Sequence, residues 1–344
     1  MLLAYGKLSS RLDLIRRYLQ ANDEERQSTD QRRFAYIASI SALYASFEMY
    51  AEESAFDFGR LLLSDPTNVA REHIDNLRRR YVQNSSSLLS KGLGTGRYSD
   101  ITELDVATSL SSCLEDVGSY DLRLEIISLH NSNLRWDAFA DLYRWAAPEL
   151  SKEIQTSDAV RSWGTKTGVA NTRVLPEVLV QELDDLVVRR NDVAHRAIPD
   201  EIISSERLLA KVNFIEAISL GLLASLSVKL IKLAVADGEG LSLGTPGEYL
   251  QQRRVVIIPS LLSPVSEGDS VWSASANIMR WGTVREIQVN DVRVAQADAG
   301  SEAGLLLDFA APKGAAIRLW QNPSIDLFPP PDAVFGDWGP LPPS

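Results

Sequence analysis

The 344-residue chain carries 46 acidic against 35 basic side chains, a formal net charge of −11, with 45% hydrophobic residues. This composition supports a globular core and excludes a global basic field that would draw in a polyanion, so any nucleic-acid contact needs a local patch, such as Arg78, Arg79 and Arg80 or Arg189, Arg190 and Arg196. A single cysteine, Cys113, excludes an intrachain disulfide and a cysteine-based zinc site within one chain, and fits a reducing, cytoplasmic setting.

From the N-terminus, Leu8, Leu12, Ile15 and Leu19 mark a first helix. Lys7, Arg11, Asp13, Arg16 and Arg17 interrupt the apolar run, which is not the layout of a signal peptide. A longer helix is expected from about Asp30 to Leu63, with a stripe of Phe34, Ile37, Ser41, Tyr44, Glu48, Ala51, Ala55, Phe58 and Leu62. Glu48 falls in the middle of that stripe, where a carboxylate must snorkel, pair, or serve a polar cleft. Asp65-Pro66 reads as an N-cap and first helical position for a helix through Tyr81, and Ser- and Gly-rich 84–100 as a loop. Further helices are expected over 103–118, 134–147, 176–195 and 204–236. The last contains the most membrane-like stretch, Phe214 to Ala236, but Glu216, Lys229 and Lys232 would each cost about 2.5–3.5 kcal/mol at the centre of a spanning helix. It reads as a core helix, with no membrane partner.

Helix breakers concentrate in the last third: residues 1–236 hold 9 Gly and 4 Pro, and 237–344 hold 11 of each. A change of fold class is therefore expected near 237, with 237–253 as linker. Strands are expected at 254–258, 270–274, 283–289, 292–294, 304–309 and 315–320, with Asn290-Asp291 as a hairpin turn, enough for a small all-β barrel over 254–321. Residues 322–344 form a Pro-rich tail.

The chain has three histidines. His73 lies in a strongly charged helix and reads as a surface residue; His130 precedes Asn131-Ser132-Asn133 and reads as a structural residue at a helix start. His195 stands in Arg189-Arg190-Asn191-Asp192-Val193-Ala194-His195. On a continuous helix Asn191 and His195 share a face, whereas Arg190 and His195 lie roughly 140° apart around the axis. The pair could meet because the arginine reaches round, because the helix ends near His195 ahead of Pro199, or because two protomers bring two copies together. An imidazole and a guanidinium suit RNA cleavage: a base takes the 2′-hydroxyl proton, an acid helps the 5′-oxygen leave, and a cation stabilises the charged transition state. No metal is required and no histidine lies at ligand spacing from another, although spacing alone leaves an acidic metal site open. Gly92–Gly96 lacks the Lys-Ser/Thr end of a P-loop, and Asp184-Asp185 reads as a solvated helix face.

Arg-Asn-Asp-Val-Ala-His near a helix end, followed by a turn and a long apolar helix, resembles the motif of the HEPN superfamily. Ala42 to Tyr50 in the second helix, and Ser132 to Trp136 running into Ala140 to Tyr143, resemble its MAE/RiboL-PSP branch. The resemblance covers roughly residues 10–235. It implies an all-α HEPN bundle in which Arg190 and His195 are the catalytic pair and Asn191 and Asp192 support them, with Glu48 loosely matched. Arg189 also satisfies the motif's spacing range. It further implies an RNA substrate, a homodimer formed through the helical domain, a possible antitoxin or regulatory partner, and a toxin or antiphage role without cofactor or metal. Separately, Arg280 to Asn290, Ala297 to Ala303 and Gly304 to Leu307 resemble the small β-barrel that forms the second domain of translational GTPases, which implies a barrel and a contact with RNA or a ribonucleoprotein.

The expected architecture is thus multidomain: a HEPN-like α-helical domain over 1–236, a linker over 237–253, a barrel over 254–321 and the tail. The competing expectation is a non-catalytic helical binding or oligomerisation module, or a nucleotide-binding partner of a toxin–antitoxin pair, in which Arg190 pairs with Asp185 or Asp192 and His195 caps its helix.

Overall fold

A computed structural model describes residues 1–24, 28–64, 71–91, 93–94, 98–115, 120–169, 173–196, 199, 201–236, 241–274 and 279–319. The chain divides into two compact units, in the main Leu3–Leu226 and Ser227–Ser344. The Asp65-Pro66 cap, most of Gly92–Gly96 and the Pro-rich tail lie outside the described residues.

The first unit is helical. Helices α1 (Leu2–Glu24), α2 (Thr29–Ser64), α3 (Arg71–Leu89), α4 (Glu103–Glu115), α5 (Leu124–Ile127), α6 (Trp136–Leu142), α7 (Leu150–Gln155), α8 (Asp158–Lys166), α9 (Pro176–His195) and α10 (Ser205–Ala236) follow in order. Leu8, Leu12, Ile15 and Leu19 of α1 and Leu208, Val212, Ile215, Leu222 and Leu226 of α10 are buried, as their spacing requires. In α2 the stripe holds from Tyr44 onward, but Phe34 is 73% exposed and Ala35, Tyr36, Ser39 and Ile40 face inward instead. Among the described residues one helix, α10, is long and apolar enough to cross a membrane, yet 72% of its apolar window is buried. Two of its charges are paired: Glu216 with Arg16 of α1, and Lys211 with Glu182 and Asp185 of α9. α10 is packed as a core helix.

Three expectations need correction here. The segment after Tyr81 continues as helix to Leu89 because Ser85 and Ser86 turn their hydroxyls back onto the carbonyls of Tyr81 and Val82, so the serines do not break it. The arginine run does not form one basic patch: Arg78 donates to the carbonyls of Cys113 and Leu114 at the end of α4, and Arg80 to that of Asp141 at the end of α6. Asp184-Asp185 is not a solvated face. Asp184 accepts from the backbone N–H of Trp136 at the start of α6, and Asp185 pairs with Arg189 and Lys211.

α9 begins with Pro176 in its first turn, where the missing N–H costs nothing. It ends at His195 because Arg196 takes an extended backbone, with only its N–H still bonded back to Asp192. α2 and α6 pack against α9 and set what surrounds its C-terminal half.

The second unit is antiparallel β. Strands β1 (Leu241–Gly244), β2 (Glu248–Leu250), β3 (Val255–Ile258), β4 (Val265–Ser266), β5 (Ser270–Ala274), β6 (Met279–Val289), β7 (Val292–Val294), β8 (Gln296–Ala297), β9 (Ala303–Leu307) and β10 (Ile317–Leu319) form a curled half-barrel. Its ladder runs β1-β10-β5-β6-β9-β3-β2, with β7 on β6 and a separate β4-β8 pair. Asn290 and Asp291 sit at φ 52° and 62°, the left-handed pair that a two-residue hairpin between β6 and β7 needs. Inward-facing Val256, Ile258, Val284, Ile287, Leu305, Leu307 and Ile317 fill the core. β1 and β2 lie within the segment expected as linker. Gly244 is a strand feature: it sits at φ +119° beside a register shift, and a Cβ there would meet Ile258 Cγ2 at 3.0 Å.

Candidate functional site

The C-terminal half of α9 presents two different faces. Asp185, Arg189, Asp192 and Arg196 recur every three or four residues and form one row. Arg189 Nε donates to Asp185 Oδ2 at 2.9 Å, and its Nη1 to the Tyr36 hydroxyl at 3.4 Å. Arg196 pairs with Asp192 at 2.9 Å. Burial alone would raise the Asp185 carboxyl, but Lys211 and Arg189 outweigh it and hold it below the usual carboxylate range. Burial likewise opposes the charge of Arg189, and Tyr36 and Asp185 more than restore it.

His195 ends this helix exposed to solvent, in a cleft of about 510 Å³ that Tyr36, Arg189, Asn191 and Asp192 also line. Arg190 turns the other way. Its guanidinium carbon lies 5.1 Å above the centre of the Tyr44 ring on α2, a cation–π contact, and its Nη1 donates to Asn191 Oδ1 at 3.2 Å. Asn191 stands between the two faces: it lines the cleft, and its Oδ1 also accepts from Asn133 Nδ2 at 2.7 Å. The ion pairs of the competing expectation are made by other residues, since Asp185 holds Arg189 and Asp192 holds Arg196.

Glu48 pairs rather than snorkels. The Tyr44 hydroxyl donates to its Oε1 at 2.9 Å while accepting from the Leu134 N–H at 2.9 Å. Burial first, and the Glu48 charge second, push the Tyr44 phenol well above its ordinary value, so it stays a neutral donor. The same Glu48 oxygen faces His130, whose Nε2 lies 3.9 Å from Glu48 Oε1 and 2.8 Å from Glu52 Oε1. His130 is more than the structural residue of a helix start, because α6 begins only at Trp136. Sequence reasoning missed this grouping because Glu52 and His130 are 78 positions apart; the only local signal was the Glu48/Glu52 pair, one turn apart on α2. His73 is half-buried rather than a surface residue, and lines with Arg79, Arg80, Arg144 and His130 a second cleft of about 920 Å³.

The RiboL-PSP-HEPN family matches residues 7–222, more than half of the chain and nearly the whole helical unit. The chain belongs to the RiboL-PSP-HEPN family. No curated protein matches it in sequence. Membership gives this RiboL-PSP-HEPN protein a nuclease-, RNA- or nucleotide-related role in general terms: HEPN domains typically bind RNA and dimerise, and are often endoribonucleases. The half-barrel that follows is compatible with the resemblance to the small barrel of translation factors.

Proposed function

We propose that this HEPN protein is a metal-independent endoribonuclease acting as a toxin or antiphage effector, with His195 and Arg190 as its reacting pair. The observation that carries this reading is the exposed His195 imidazole in a polar cleft beside Asn191, whose amide oxygen also holds Arg190. In the reaction an imidazole takes the RNA 2′-hydroxyl proton as O2′ bonds to phosphorus. The P–O5′ bond breaks, and a protonated imidazole gives its proton to O5′, leaving a 2′,3′-cyclic phosphate and a 5′-hydroxyl. A guanidinium compensates the charge that gathers on the phosphoryl oxygens. Within one chain Arg190 lies on Tyr44 while His195 lines the cleft, which favours a homodimer in which one copy's arginine serves the other's histidine. Arg189, in the same cleft as His195 but tied to Asp185, is the alternative guanidinium. Asp192 supports the site by holding Arg196. The β unit would select the RNA, an antitoxin or another regulatory partner.

The test compares wild type with His195→Ala on a defined RNA, in EDTA. Wild type should cut and leave cyclic phosphate ends, and His195→Ala should lose about 10²–10⁴ in rate. Undiminished cutting by His195→Ala would overturn the assignment.

A further inference from the structure

We propose that Glu48, Glu52 and His130 form a binding site for a divalent transition ion of the zinc or manganese class. The site is separate from the His195 cleft, and the proposal does not rest on RNA cleavage: none of the three residues lines that cleft.

The placement comes first. Glu48 and Glu52 project from one face of α2, and His130 reaches them from the turn that follows α5. One ligand atom from each lies within 4.8 Å of the others. Bonds of about 2.0–2.2 Å to a common centre need only small side-chain rotations from there.

The surroundings are those of a ligand set. His130 Nδ1 lies 2.7 Å from the Ser132 carbonyl oxygen, which can only accept, so Nδ1 carries the proton. Nε2 is then the ring nitrogen turned toward the two carboxylates, 2.8 Å from Glu52 Oε1 and 3.9 Å from Glu48 Oε1. Metal-bound histidines are oriented in this way by a carbonyl on their far nitrogen. Glu48 has the same kind of support from the Tyr44 hydroxyl.

Electrostatics then decides what fills the gap. At 2.8 Å His130 Nε2 and Glu52 Oε1 are at hydrogen-bond distance, and a metal ion would take the place of the proton between them with a small opening of that contact. One proton brings a single positive charge to the two carboxylates, whereas a dication brings two. The imidazole ligand favours zinc and the two carboxylates also suit manganese, whereas magnesium and calcium take oxygen-only sites more readily. His130 also lines the cleft of about 920 Å³, which gives an ion a way in and leaves room for its waters.

The test uses the full chain, stripped with chelator and dialysed, titrated calorimetrically with zinc chloride and manganese chloride, with magnesium chloride as the hard-cation control. We expect one saturable site per chain for zinc or manganese and at least tenfold weaker magnesium binding. Glu52→Gln and His130→Ala should each weaken zinc by about a hundredfold, Tyr44→Phe by about tenfold, and His73→Ala should leave it unchanged. Cobalt should give a visible spectrum that His130→Ala abolishes. Should His130→Ala fail to fold, the near-isosteric Glu52→Gln carries the comparison. No saturable binding up to millimolar zinc, or zinc affinity unaltered in Glu52→Gln, would overturn the site, and either result is read without RNA.

Discussion

Asn133 and Asn191, 58 positions apart, are joined by a hydrogen bond of 2.7 Å from Asn133 Nδ2 to Asn191 Oδ1. The same oxygen accepts from Arg190, so the segment ahead of α6 fixes the polar residue that steadies the α9 guanidinium. Removing Asn133 leaves Arg190 its bond but lets the amide turn. Asn133→Ala is expected to lower kcat about tenfold with KM little changed, since it disturbs orientation rather than binding. Asn191→Asp keeps the acceptor oxygen and should lose less than Asn191→Leu. Steady-state kinetics on a short RNA check both, and wild-type kcat in Asn133→Ala would disconnect this bond from the chemistry.

The divergence of Arg190 and His195 makes a stoichiometric prediction. Arg190→Ala and His195→Ala should each be inactive alone. If one copy's arginine serves the other's histidine, a mixed dimer of the two variants contains one intact pair out of two. Random re-association of equal amounts should then recover about a quarter of wild-type activity. A mixture as inactive as its components, with mixed dimers verified by native mass spectrometry, would mean that each chain uses its own pair.

Lys211 is nearly buried on α10 and bonds Glu182 at 2.6 Å and Asp185 at 2.8 Å. Lys211→Met keeps the stem and removes the charge, leaving the two carboxylates facing each other. The loss should be about 1.5–3 kcal/mol at pH 7, in urea unfolding. The sign of the pH effect follows from Asp185, whose folded-state value is depressed by Lys211 and Arg189 against the effect of burial. Its contribution is therefore present above the ordinary carboxylate range and is lost as pH falls below it. The difference between wild type and Lys211→Met should shrink on acidification from pH 6 to pH 3; a constant difference would show that Lys211 acts through packing alone.

These elements also show where sequence was sufficient. α9 is bounded by local signals, Pro176 at its start and Pro199 shortly past its end, and both limits are legible. The stripes of α1 and α10 are legible because a whole face is apolar, and the β6–β7 hairpin because Asn290-Asp291 suits left-handed backbone. Helices α7 and α8 were missed: each is too short to develop a period, although Ser157, which accepts from Val160 N–H at the start of α8, was a readable cap. The two-residue strands β4 and β8 cannot show an alternation. In the site, the α9 motif is contiguous and visible, whereas His130 reaches Glu48 and Glu52 only through tertiary packing of loop on helix, which no local pattern encodes.

Tertiary packing also sets the cost of one added methyl group. Gly221 lies in the middle of α10, where alanine would ordinarily gain about 1 kcal/mol of helix propensity. Here a Cβ would stand 2.9 Å from Ser157 Oγ and 3.1 Å from Ile154 Cγ2. Ser157 cannot yield freely, because its hydroxyl caps α8 and donates to the Ile154 carbonyl at 2.7 Å. The clash and the strained cap should outweigh the propensity gain, so Gly221→Ala is expected to destabilise the protein by about 1–2 kcal/mol, and Gly221→Val by more. The double variant Gly221→Ala/Ser157→Gly, which removes the opposing side chain, should recover part of that loss. Chemical denaturation of the three variants decides it: a Gly221→Ala protein at least as stable as wild type would mean that α10 stands further from α7 and α8 than the close approach at Ser157 requires.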